Sequence, residues 1–137
     1  MRLMAIDLGD SRTGIAVSDP LGILCGDAWT VKEWNQDRLA KLIAEEAKQR
    51  EVSCIVLGMP KNMDGSEGPR AEKSRAFREL LMQACDLPVV LWDERRSSVE
   101  AHQILHANGR REIHHRSTVD AVAASLILES YLGSLKS

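Results

Sequence analysis

The run Cys54-Ile55-Val56-Leu57-Gly58 restricts the fold of this chain more than any other stretch. It carries no charge and no polar alternation, so the strand it predicts must be covered on both faces. Such a strand belongs inside a sheet with helices above and below it. The flanking sequence supplies those elements. Residues 2–8 and 13–18 read as strands joined by a tight Gly/Asp/Ser turn, a hairpin. A third strand is expected over 23–31, although Cys25-Gly26-Asp27 weakens it. Leu39, Leu42, Ile43 and Ala47 have helical spacing and predict a helix over 36–50. After Gly58 a polar loop leads to Pro69, which suits the first turn of a helix running to about Cys85. Val89–Asp93 is the next strand. Ser97-Ser98-Val99-Glu100 has capping-box form, opening a helix that Asn108-Gly109 should end. A polar loop over 109–117 and a last helix over 118–132 complete the order. Three early strands followed by alternating helix and strand predict a mixed α/β sheet with helices on both faces.

The 137 residues suit a single domain, 1–137, with one core. No apolar run approaches the roughly 20 residues that span a bilayer. Asp7 interrupts the N-terminal apolar stretch too early for a secretory segment, so a cytoplasmic location and no membrane partner are expected. Cys25, Cys54 and Cys85 are odd in number and lack C-x-x-C spacing, which points to reduced thiols.

The net charge of −2 argues against coating nucleic acid by bulk electrostatics. Its distribution says more. From Arg95 to Arg116 there are five arginines against two acids, a formal +3 that leaves −5 for the rest of the chain. All four histidines lie in the same stretch. A basic segment on an acidic protein fits gripping a polyanion at one place.

Three acids stand at the ends of expected core elements: Asp7 after the first apolar strand, Glu94 after Val89–Asp93, and Asp120 at the start of the last helix. A carboxylate at the mouth of a buried strand costs free energy unless something compensates it. Asp7 lies within its strand rather than in the Asp10/Gly14 turn region. Glu94 could instead be a solvated strand end paired with arginine. Asp120 could serve a helix first turn together with Ser117. As a convergent set the three suit a hard cation, Mg²⁺ or Mn²⁺, which takes oxygen ligands and keeps waters. Two such ions about 4 Å apart can activate a water and stabilise the leaving oxygen in phosphodiester hydrolysis.

Asp7-x-Gly9 with Gly14, Gly58-x-Pro60-x-Asn62-x-Asp64-Gly65, Asp93-Glu94-Arg95, and Val119-Asp120 with Ala123-Ala124 occur in this order along nearly the whole chain. Together they resemble the YqgF/RuvX family, bacterial proteins related to the Holliday-junction resolvase RuvC. The resemblance implies an RNase H-like fold: a mixed five-stranded sheet with an antiparallel second strand. It also implies a metal-dependent nuclease with carboxylates at Asp7, Glu94 and Asp120, and a role in 5′-end maturation of pre-16S rRNA during ribosome biogenesis. Relatives often carry Lys before the last motif, where this chain has Arg116; Arg96 stands where many have Leu.

For substrate binding the expected residues are Arg95, beside Glu94, together with Asn62 and Arg116. Asp64 is a candidate peripheral ligand, although an Asp-Gly turn with ordinary backbone bonding is the favoured reading of it. His102 and His106 have i,i+4 spacing but no third ligand, so a zinc site is not expected. With 4% aromatics an extended base-stacking platform is not expected, and Trp29 and Trp34 stay undecided. The expected partner is structured RNA, as pre-16S rRNA or a pre-ribosomal particle, bound by a monomer or homodimer. The competing readings are a dimeric Holliday-junction resolvase acting on branched DNA, a nucleotide-binding module of the actin and sugar-kinase type, and a non-catalytic ribosome-assembly protein.

Overall fold

Five strands form one sheet in the order β3-β2-β1-β4-β5. The computed structural model describes residues 1–94 and 116–135. The strands are β1 (Arg2–Asp7), β2 (Arg12–Ser18), β3 (Cys25–Lys32), β4 (Val52–Met59) and β5 (Val89–Asp93). The helices are α1 (Gln36–Gln49), α2 (Pro69–Ala84) and α3 (Arg116–Leu135). β2 is antiparallel to β1 and β3, while β4 is parallel to both β1 and β5. The expected mixed sheet with an antiparallel second strand is therefore what the chain forms. The expected helix from Ser97, and the polar loop that follows it up to residue 115, lie outside the described residues.

Strand alternation sorts the apolar side chains into two layers. Met4, Ile6, Ile15, Ile55 and Leu57 point to one face, where Leu39 and Ile43 of α1 and Phe77 and Leu81 of α2 cover them. Leu3, Ala5, Ala16 and Val56 point to the other, covered by Ala124, Ile127, Leu128 and Leu132 of α3. Phe77 is fully buried, and burial of such a side chain stabilises by about 1.5–3 kcal/mol. The face under α3 is lined by small residues, Ala5 and Ala16, which let a helix approach the sheet closely. The five-residue apolar run at the centre of β4 is thus covered on both sides, as its composition requires.

One irregularity sets the phase of β4. Its pairing with β1 passes from Arg2↔Val52 to Leu3↔Cys54, which leaves Ser53 as an extra residue. Val52 packs on the α1/α2 side and Cys54 on the α3 side. Without the bulge, with Ser53 paired in the ladder, alternation would give both the same face.

Helix ends follow sequence signals. The Asn35 side chain accepts from the Arg38 N–H at 3.0 Å, capping α1. Pro69 occupies the first turn of α2, as expected. α3 begins at Arg116, two residues before the expected start, so Asp120 lies in its second turn and Ser117 inside the helix. The alternative reading of Asp120 as a first-turn acid paired with Ser117 is thereby corrected: the first turn of α3 contains no acid. The three cysteines are free and half-buried. No helix among the described residues is long and apolar enough to cross a membrane.

Candidate active site

Asp7 is the last residue of β1. It alternates with Leu3 and Ala5 and therefore emerges on the α3 face. Glu94 follows β5 directly, and its N–H donates to the Met59 carbonyl at 3.1 Å, extending the parallel ladder by one bond. Two glycines make room, one for the Glu94 side chain and one for the backbone of α3 at Asp120. A Cβ at Gly58 would lie 2.5 Å from Glu94 Oε1 and 2.8 Å from Ile127 Cδ1, so the space above Gly58 is where Glu94 rests. Gly14 pairs directly with Asp7, and a Cβ there would overlap the Asp120 carbonyl. Its absence lets α3 descend until Asp120 is beside the strand that carries Asp7.

The electrostatics follow from that crowding. Burial is the main cause that raises the Glu94 carboxyl pKa, to about 7, and the neighbouring Asp7 charge and hydrogen bond reinforce it. Asp7 is also raised, chiefly by burial and further by the charge of Asp120, while its hydrogen bond with Glu94 works the other way. The pair therefore shares a proton, with the Glu94 carboxyl donating to the Asp7 carboxylate. Like charges in a half-buried pocket hold a proton that a cation could replace.

Arg70, in the first turn of α2, is the cation whose charge is felt by both members of the pair and opposes both shifts. Its side chain is exposed and makes no ion pair among the described residues. Nearby, Lys73 Nζ donates to Asp10 in the β1–β2 turn, which ties α2 to the mouth of the site. Nothing in the sequence pattern singled out Arg70. The available signal was its place in the first turn of a helix that follows a loop leaving a strand's carboxyl end, where anions commonly bind.

The other expected residues are placed differently. Asn62 Nδ2 donates to Ser66 Oγ at 2.9 Å, and Asp64 Oδ1 accepts from the Ser66 N–H at 2.8 Å. Both side chains thus take part in the internal bonding of the loop between β4 and α2, and Gly65 supplies its positive φ of 90°. Arg75 clamps this loop to α2 through two bonds of 2.7 Å to Glu67. Arg95 lies outside the described residues. Arg116 opens α3, but its side chain is also outside them. Trp92 is committed to structure: it stacks on Tyr131 at 5.1 Å and donates to Ser130 Oγ at 3.1 Å. Trp29 lies under the Arg50 guanidinium at 4.2 Å. Trp34 is exposed.

All donors at the site are oxygens, the chemistry of a hard cation. Among the described residues no group of three Asp, Glu, His or Cys side chains is placed to hold an ion. Mg²⁺ does not need three, since one or two carboxylates, waters and substrate phosphate complete its shell. The Asp7–Glu94 pair fits that requirement.

Known proteins resemble the chain along its length. The family profile "RuvX: Holliday junction resolvase" matches residues 1–134. A protein of Halothermothrix orenii provisionally named pre-16S rRNA nuclease is 42% identical over 132 residues, covering 96% of this chain and 94% of that one. A relative in Bacillus licheniformis with the same provisional name is 40% identical over 139 residues, covering all of both chains. Among solved structures, Thermus thermophilus RuvC in complex with Holliday junction substrate superposes with a TM-score of 0.67 at 15% identity, over all of this chain and 98% of that one. The last likeness concerns the fold alone. With a family match that runs from the first strand through nearly all of the last helix, the chain belongs to the RuvX (YqgF) family.

Proposed function

We propose that this protein is a divalent-metal-dependent nuclease that hydrolyses phosphodiester bonds in 5′-end maturation of pre-16S rRNA, in the cytoplasm. The observation that carries the reading is the hydrogen-bonded Asp7–Glu94 carboxylate pair at the ends of β1 and β5, the two strands that flank β4, with Asp120 close enough to raise Asp7 further. A structural ion pair would bring opposite charges together; this site brings like charges together and holds Arg70 at its edge.

In this reading Asp7, Glu94 and Asp120 hold Mg²⁺ or Mn²⁺, which when bound supplies water activation and charge stabilisation at the leaving oxygen. Asp7 and Glu94 must both be ionised to do so, which gives the raised Glu94 pKa a direct bearing on activity. Arg70 neutralises the incoming phosphate from the α2 side, assisted by Arg95 and Arg116 from the basic segment. The names carried by the relatives support pre-16S rRNA as the substrate.

The test is cleavage of a precursor 16S rRNA 5′ fragment with added Mg²⁺ or Mn²⁺, comparing wild type with Asp7→Asn. Loss of cleavage in the variant, with an unchanged fold, supports the reading; full metal-dependent cleavage by the variant overturns it. The family description favours a second reading, resolution of four-way DNA junctions. Run in parallel on a four-way junction, the same assay separates the two, and symmetric junction cuts would also require a dimer.

A further inference from the structure

The antiparallel pairing of β2 and β3 sets Arg12 directly opposite Lys32. Between Arg12 and Val17 this register is regular, so alternation places Arg12 on the same face as Gly14 and Ala16. Lys32 likewise shares a face with Ala28. Ala16 and Ala28 both pack in the layer under α3. Arg12 and Lys32 therefore stand on the face that carries Asp7, at the end of the sheet where Asp7 emerges.

Two cations directly opposed across an antiparallel pair repel each other and destabilise the sheet. Nearby acids would normally compensate. Here neither side chain has a salt bridge or hydrogen bond among the described residues. Asp120, whose carbonyl covers Gly14, bonds to neither. The pair is also close to the carboxylates. Asp7 pairs with Gly14, and Arg12 is two residues further along, so the Asp7 and Arg12 Cα atoms are roughly 8–9 Å apart. Lys32 lies about 5 Å beyond, on the edge strand.

We propose that Arg12 and Lys32 together hold a backbone phosphate of the bound RNA strand, a short step from the phosphodiester positioned at Asp7 and Glu94. The inference rests on the nuclease reading and adds a direction to it: the strand crosses from Glu94 over Asp7 toward β3. Arg12 can grip a phosphate through its planar fork, and Lys32 adds a point charge from the exposed edge. The repulsion that weakens the unliganded sheet becomes attraction shared by one anion.

The experiment measures binding of a fluorescein-labelled RNA spanning the 16S 5′ processing region, in Mg²⁺-free buffer across a salt series. Wild type is compared with Lys32→Glu and with the double variant Arg12→Gln/Lys32→Gln, each melted thermally alongside. Losing one phosphate contact should lower the slope of log affinity against log salt by about 1. Affinity at moderate salt should fall at least about tenfold. Lys32→Glu sets opposite charges across the strands, so its melting temperature should equal or exceed that of wild type. Weaker binding with an unchanged or higher melting temperature supports the proposal. An unchanged salt slope overturns it, as does a melting temperature several degrees lower, which would assign the pair to folding. If wild type does not bind the RNA, the nuclease reading fails and the inference goes with it.

Discussion

Gly58 lies directly beneath Glu94, and a single methyl group there would reach within 2.5 Å of Glu94 Oε1. Gly58→Ala should therefore displace the carboxylate from Asp7 without removing any charged group. The expected result is a loss of cleavage of at least about tenfold, since misplacement of a reacting group by about 1 Å can cost far more. Overpacking against Ile127 should cost about 1–3 kcal/mol. RNA cleavage rates and urea unfolding of the same preparation check both; retained activity would mean that the position of Glu94 does not matter.

Glu94 makes stability depend on pH. Folding raises its pKa from 4.5 to about 7, so between those values the folded chain holds a proton that the unfolded chain has released. Its contribution is fully present below about pH 4.5 and is lost as pH rises through 7. In metal-free buffer Glu94→Gln should gain on wild type by about 2–3 kcal/mol between pH 5 and pH 8. Added Mg²⁺ should recover stability at pH 8 in wild type more than in the variant. Urea midpoints at the two pH values, with and without Mg²⁺, measure this; parallel curves would contradict it.

Gly14 faces the backbone of α3 rather than a movable side chain. A Cβ there would overlap the Asp120 carbonyl, so Gly14→Ala must push α3 away from β2. We expect about 1–3 kcal/mol of destabilisation together with loss of activity, because Asp120 moves with the helix. The melting temperature and the cleavage rate should fall together, in contrast to Asp7→Asn, where activity is lost without a loss of stability.

Arg70 is exposed and touches the site through its charge. Arg70→Ala should reduce kcat/KM by about tenfold or more while leaving the melting temperature nearly unchanged. Arg70→Lys should recover part of the loss, because the charge returns without the planar fork. Since Arg70 opposes the upward shifts of Asp7 and Glu94, the alanine variant should also move the acidic limb of the pH–rate profile to higher pH. A profile unmoved in both variants would remove Arg70 from the site.

The strands were readable because burial on two faces leaves a signature no loop mimics, and β5 has the bounds expected for it, Val89–Asp93. β3 was harder: as an edge strand with a half-exposed pattern, it lacks the continuous hydrophobic signal of β4. Asp7 was legible as a charge inside an apolar strand. Asp120 was ambiguous until the start of α3 at Arg116 moved it out of the first turn. Arg70 left no trace in periodicity, since an arginine on an exposed helical turn looks the same whether it faces solvent or a carboxylate pair. Asn62 and Asp64 had both a turn reading and a site reading, and their bonds to Ser66 show what turn chemistry contributes there. The opposition of Arg12 and Lys32 depends on strand register, which single-strand patterns do not contain.

Ser53, the extra residue low on β4, acts like a gear tooth for everything above it. It lies five residues, about 17 Å, from Gly58, yet it decides which side chains of β4 look toward the acids. Were Ser53 paired in the ladder instead of bulged out of it, the two faces of the strand above would exchange, placing Leu57 or Met59 where Gly58 now gives Glu94 its room. A change of pairing at the quiet end of this sheet would thus be felt at the opposite end, as a changed occupant beneath a carboxylate.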